Sequence, residues 1–158
     1  MAKRRGAAKA LVSHCTKLNA GAAEVVPALA AALKDADDTV RGLAADALGE
    51  IGPDAKAALP ALLEMAKDGN AGVRARAAFA LGGVGANAPE TIPALAHLLK
   101  DKDDDVRLNA VSALAEVGGK DALPALILAL SDSSTGVRLN ARAALVPSER
   151  KRSRRRPP

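Results

Sequence analysis

The sequence predicts an all-α solenoid of about four stacked helical hairpins. Three observations carry this. A four-residue phrase recurs as Val26-Pro27-Ala28-Leu29, Leu59-Pro60-Ala61-Leu62, Ile92-Pro93-Ala94-Leu95 and Leu123-Pro124-Ala125-Leu126. Its prolines stand 33, 33 and 31 residues apart. Two other registers, Val40-Arg41, Val73-Arg74, Val106-Arg107, Val137-Arg138 and Ala47-Leu48, Ala80-Leu81, Ala113-Leu114, Ala144-Leu145, keep the same three spacings. Apolar residues recur at helical spacing throughout, and no segment alternates as a strand does. Self-similarity at such a period belongs to repeat architectures, in which one hairpin cannot bury its own apolar stripe and stacking makes the core continuous.

The elements follow in order. Residues 1–6 form a basic N-terminal arm. Residues 7–19 read as a degenerate half-repeat with Leu11, Cys15 and Leu18 on one face, capping the array. Repeats cover about 22–52, 54–85, 88–118 and 120–146, so the repeat domain is 7–146. In each, a first helix carries apolar residues such as Leu29 and Leu33, or Leu59, Leu62 and Met65. It ends near Lys34-Asp35, Lys67-Asp68, Lys100-Asp101 and Ser131-Asp132. The Asp-, Asn- and Ser-rich turn that follows supplies acceptors for the free N–H groups of the next helix and charge that suits its positive end. The second helix has Val40, Ala44, Ala47, Leu48 and Ile51 on one stripe. The expected stops are Gly49 and Gly52, then Gly82, Gly83 and Gly85, then Gly118 and Gly119. Roughly a quarter of the chain is alanine, which lets helices approach closely. In the last repeat Val146-Pro147 replaces the glycine stop, so the array ends there. Residues 147–158 have no apolar stripe and are expected to be a basic disordered tail.

The proline inside the first helix, the turn Asp and the run Val40 to Gly49 together resemble HEAT repeats, most closely the short variety named after phycobilisome lyases. The resemblance covers about residues 22–146. It implies a superhelical binding scaffold. It also implies that Asp35, Asp68, Asp101 and Asp132, each six residues before Arg41, Arg74, Arg107 and Arg138, form a structural ladder between neighbouring repeats. Four such pairs argue against catalysis, which needs a pair once, and a planar guanidinium suits bridging two turns.

Composition narrows the function further. The apolar runs Val25–Leu33 and Ala122–Leu130 are too short to span a bilayer, which takes about 20 residues. One cysteine, Cys15, with His14 and His97, makes neither a disulfide nor a Cys/His zinc site. One Phe with no Tyr or Trp leaves no base-stacking platform. The formal charge of +5 is uneven. Lys3, Arg4, Arg5 and Lys9 lie at one end, Arg150, Lys151, Arg152, Arg154, Arg155 and Arg156 at the other, and the body between them is acidic. The C-terminal cluster is a candidate polyanion-binding segment, and in a eukaryotic host it would look like a nuclear localisation signal. Nucleic-acid binding through the tails would be weak and salt-labile. Lys9, His14 and Lys17 interrupt the N-terminal apolar stretch, which is a poor secretory signal, so a cytoplasmic location and a monomer are expected.

Other motifs resolve to structural readings. Asp101, Asp103, Asp104 and Asp105 lack the glycine and distal Glu of a calcium loop and read as helix caps. Gly83-Val84-Gly85-Ala86-Asn87-Ala88 fits a phosphate-loop pattern but follows a helix rather than a strand. Similar repeats build the iron-dependent deoxyhypusine hydroxylases, which place His-Glu after Val-Arg. Here those positions hold Gly42-Leu43, Ala75-Arg76, Leu108-Asn109 and Leu139-Asn140, so those metal ligands are missing. HEAT-like DNA glycosylases use aromatics and a basic concave face, and neither is present. A phycobilin-lyase-like chaperone subunit stays open. No catalytic residue, metal or cofactor is assigned.

The expected function is a non-catalytic scaffold or adaptor that binds another protein through the concave face, with nucleic-acid association through the Arg-rich tails as the alternative. Positions 42, 46 and 49 point away from the buried stripe of the second helix. At the corresponding positions of later repeats stand Phe79, Leu108 and Leu139, expected to form one exposed patch. With Val111 they are the candidate partner-binding residues. The competing reading buries Phe79 between repeats beside Gly82 and Gly83.

Overall fold

The computed structural model describes residues 22–86 and 88–146. The half-repeat 7–19, the N-terminal arm and the tail 147–158, with its six candidate polyanion-binding residues, lie outside the described residues.

Each first helix carries the recurring proline. These are α1 (Ala22–Ala32), α3 (Leu59–Met65), α5 (Thr91–Leu98) and α7 (Leu123–Ala129). Pro60 and Pro124 sit in the first turn of α3 and α7, where a missing N–H costs nothing. Pro27 lies inside α1. The second helices are α2 (Asp38–Ile51), α4 (Ala71–Val84), α6 (Asp104–Val117) and α8 (Thr135–Leu145). A 3-10 helix, Gly52–Ala58, joins the first repeat to the second. There are no strands among the described residues, and the all-α solenoid is the observed fold.

Caps set the starts of the second helices. The Asp37 carboxylate accepts from Thr39 N–H at 2.9 Å, the Asn70 amide oxygen from Gly72 N–H at 2.8 Å, and the Asp103 carboxylate from Asp105 N–H at 3.1 Å. Ser134 holds the same place before α8 without a side-chain cap bond. At the other end, Gly52 (φ 71°) and Gly118 (φ 66°) turn the chain into the left-handed region that other residues resist. α8 ends at Leu145, and Val146 is extended, as the residue before a proline prefers.

Three expected stops are not stops. Gly49 lies inside α2, and Gly82 and Gly83 inside α4. They serve packing instead. A Cβ on Gly83 would stand 2.4 Å from the carbonyl oxygen of Gly49, so α2 and α4 meet backbone to backbone. One on Gly82 would stand 3.0 Å from Ala113 Cα of α6. The second helices pack on one another in chain order, and each first helix packs on the second helix of its own repeat.

The core is a row of leucines, two in each of the first three repeats: Leu29 and Leu48, Leu62 and Leu81, Leu95 and Leu114, all fully buried. Each contributes about 1.5–3 kcal/mol of transfer free energy. Between α5 and α7 the first helices separate around an open groove of about 640 Å³, lined by Ile92, Pro93, His97, Pro124 and Leu128. His97 is exposed there.

Candidate functional site

The turns carry a regular ladder. In every repeat the Asp carboxylate accepts the N–H two residues on: Asp37 to Asp35 at 2.9 Å, Asn70 to Asp68 at 2.8 Å, Asp103 to Asp101 at 3.0 Å and Ser134 to Asp132 at 2.8 Å. The Arg of the same repeat donates to that Asp's backbone carbonyl at 2.8 to 2.9 Å. Its other nitrogens reach the Asp of the next repeat. Arg74 grips Asp101 at 2.6 and 2.8 Å, and Arg107 grips Asp132 at 2.9 and 3.1 Å. Arg41 divides itself. Its Nη2 donates to Asp38 of its own helix and, at 3.3 Å, to Asp68 Oδ1, while Nε lies 2.9 Å from Asp68 Oδ2, off line for a hydrogen bond. Among the described residues Arg138 bonds only its own turn and Thr135.

These groups are paired and half-buried, and their electrostatics follow. The Arg74 guanidinium holds the Asp101 carboxyl below its ordinary value, against an opposing push from burial. Burial pushes Asp132 up, but Arg107 and the Ser134 N–H outweigh it and the net shift is down. The ladder and capping aspartates of the turns thus have their charges committed to caps and inter-repeat bridges. Among the described residues no three His, Cys, Asp or Glu converge as metal ligands.

The free face of the second helices is different. Its side chains lean on the preceding repeat. Arg76 lies over Gly42 and reaches Asp46 Oδ2 at 3.2 Å. The Phe79 ring lies over Gly49, with Cε1 2.8 Å from where a Cβ would stand. Glu116 Oε2 is 3.0 Å from the same point on Gly82. Asn140 donates to Ser112 Oγ at 3.1 Å. Burial raises the Asp46 carboxyl above its ordinary value, Arg76 opposes this, and Glu50 adds to it.

The structure separates the four candidate partner-binding residues. Phe79 is 43% exposed on this face and Leu139 59% exposed. Phe79 is therefore not a buried gap-filler, although its ring covers Gly49. Leu108 is half-buried and packs against the core, with Cδ1 3.6 Å from the Cβ position of Gly136 in the next helix. Val111 is a correction: it is 0% exposed and belongs to the core. It shares a register with Ala45 and Ala78, both also buried. The polar members of the face, Asp46, Glu50, Arg76, Ser112 and Glu116, were absent from the expected partner-binding set. Aligning the repeats residue by residue and reading polar side chains as well as apolar ones would have found them.

Comparison with known proteins agrees with this architecture. The family model described as HEAT repeats matches residues 2–74 and again 59–146. The comparison with curated proteins found no match. Among solved structures, the complex of CpcE and CpcF of phycocyanin lyase from Nostoc sp. PCC7120 is 24% identical with a TM-score of 0.71, over 89% of this chain and 87% of that one. Human deoxyhypusine hydroxylase in complex with glycerol is 29% identical with a TM-score of 0.63, over 76% of this chain and 42% of that one. A designed armadillo repeat protein in complex with the peptide (KR)4 is 27% identical with a TM-score of 0.59, over 74% of this chain and 61% of that one. No helix among the described residues is long and apolar enough to cross a membrane. With a repeat ladder joining successive turns, second helices stacked in chain order and a family match spanning nearly all of it, the chain belongs to the HEAT-repeat family.

Proposed function

We propose that this protein is a non-catalytic scaffold that binds another protein across the free face of its second helices. One observation carries the reading: the chain's only aromatic residue stands half-exposed on that face. An aromatic side chain left in water on a rigid surface is a typical anchor for a partner. Leu139 extends the apolar surface on α8, while Arg76, Asp46, Ser112 and Asn140 supply polar groups around it. The architecture suits this role, because a stacked array offers a long surface without moving parts. The likeness to a designed repeat protein captured with a peptide supports the same use of the fold. The reading assigns no cofactor and no catalytic residue. Leu108 contributes only its exposed part, and Val111 is left out.

Phe79→Asp tests it. The variant should keep its helical circular dichroism and lose the partner that the parent chain captures in a pull-down. A variant that folds normally and still binds that partner overturns the proposed face. A melt far below the parent would make the ring a packing element and remove it from the site.

A further inference from the structure

The same face has a second property. Glu50, Gly83 and Glu116 occupy equivalent positions of successive repeats, and the next position in that row is Pro147. α8 ends at Leu145, and Val146, in register with Gly49 and Gly82 beside this row, is the last described residue, so the segment that follows departs from this end of the second helices. Glu50 and Glu116 are exposed and have no ion pair among the described residues, and Phe79 lies one turn before Gly83. The departing segment carries Arg150, Lys151, Arg152, Arg154, Arg155 and Arg156 against a single acid, Glu149. We propose that residues 150–156 dock in the same molecule on this row, running back across the second helices from Glu116 to Glu50.

The reach fits. Packed helices lie about 9 Å apart, so three steps from the end of α8 to Glu50 span about 27 Å. Nine residues, from 147 to 156, extend about 30 Å. An extended segment thus brings Arg150 opposite Glu116, Arg152 opposite Gly83, where it meets the open face of the Phe79 ring, and Arg155 or Arg156 opposite Glu50. Guanidinium over an aromatic face is favourable, and so is its pairing with a free carboxylate. Each contact is weak at an exposed site. Tethering makes the encounter intramolecular, with an effective concentration in the millimolar range for a short flexible linker. The other acidic surface, Asp103 to Asp105, is a poorer fit. It lies at the opposite ends of the second helices, about 20 Å from where the segment leaves, and Asp103 is committed to its cap.

Docking here would cover Phe79, so a partner using that face would displace the segment. The inference shares the face of the proposed function but does not depend on it, since the segment can dock whether or not a partner exists.

The experiment uses the full chain, isotopically labelled, with Cys15→Ser and a nitroxide on Ser153→Cys. At low salt the amides of Glu50, Phe79, Gly83 and Glu116 should lose most of their intensity. The loss should vanish at about 0.5 M salt, where screening acts within a few ångström, and in the double variant Glu50→Gln, Glu116→Gln. No loss at low salt overturns the proposal, as does loss centred on Asp104 and Asp105. Loss that appears only when a spin-labelled chain is mixed with a separate labelled chain also overturns it, because the contact then lies between copies. If Phe79→Asp spares partner binding while this broadening persists, the proposed function fails and the docking stands.

Discussion

Arg107 and Arg138 hold the same register and do different work. Arg107 joins the backbone of its own turn to the carboxylate of Asp132 in the next repeat, and both side chains are only 11% exposed. Arg138 has no further repeat among the described residues and spends its bonds on its own turn. Truncating Arg107 leaves a half-buried carboxylate and a half-buried carbonyl without their charged donor. We expect Arg107→Ala to lower stability by about 1–3 kcal/mol, and Arg138→Ala to cost clearly less. Denaturant melts of the two variants check this, and equal, negligible shifts would remove the ladder from the stability argument. The pairing of Asp and Arg was legible from spacing alone. The division of labour within each guanidinium was not, because it depends on how far one turn stands from the next.

At the scale of elements, glycine marks where helices touch. Gly83 of α4 faces the Gly49 carbonyl of α2, and the obstacle is backbone, which cannot rotate aside. Gly83→Ala must push the two helices apart, and overpacking of this kind costs about 1–3 kcal/mol. Gly69, in the turn before α4, has open space and an ordinary φ. Gly69→Ala should be neutral or stabilise by up to about 1 kcal/mol, by narrowing the unfolded ensemble. Thermal melts of the pair test whether close approach, not helix propensity, governs the α2–α4 contact. A similar cost in both variants would refute it. The sequence reading placed Gly49, Gly82 and Gly83 at helix ends because glycine there is the common signal. Only the neighbouring helix distinguishes a stop from a contact. Val111 was misplaced for a related reason: a position that reads as free on a single helix is buried once the repeats stack.

Across the whole molecule the ladder makes stability depend on acid. Asp101 and Asp132 have folded-state pKa values below the ordinary carboxylate value of about 3.9. Their contribution is therefore complete above that value and is lost as pH falls through the folded pKa values. Stability should be flat near neutrality and fall below about pH 4. Asp46, raised, has the opposite sign: its contribution is present in acid and lost as pH rises through its folded pKa. Denaturant melts between pH 2 and about 7 should show a smaller acid loss in Asp101→Asn than in the parent. An unchanged acid loss in that variant would contradict the assignment. Because each repeat contacts only its neighbours, loosening one bridge weakens the two repeats that it joins.

The sequence by itself determined the repeat, its hairpin and the order of the stack. These follow from local and periodic signals: apolar spacing at 3.6 residues, a proline in each first helix, Asp and Asn before the second helices, and a six-residue Asp-to-Arg interval repeated four times. It also showed that Phe79 breaks the pattern. The tertiary structure alone decided which side chains remain in water once the stack forms. Leu108 lost part of its exposure against the following repeat and Val111 all of its own to the core, while Phe79 kept part of its own by lying on Gly49. Burial in an array is a property of two repeats together, set by the distance and rotation between them, and one repeat's sequence carries neither.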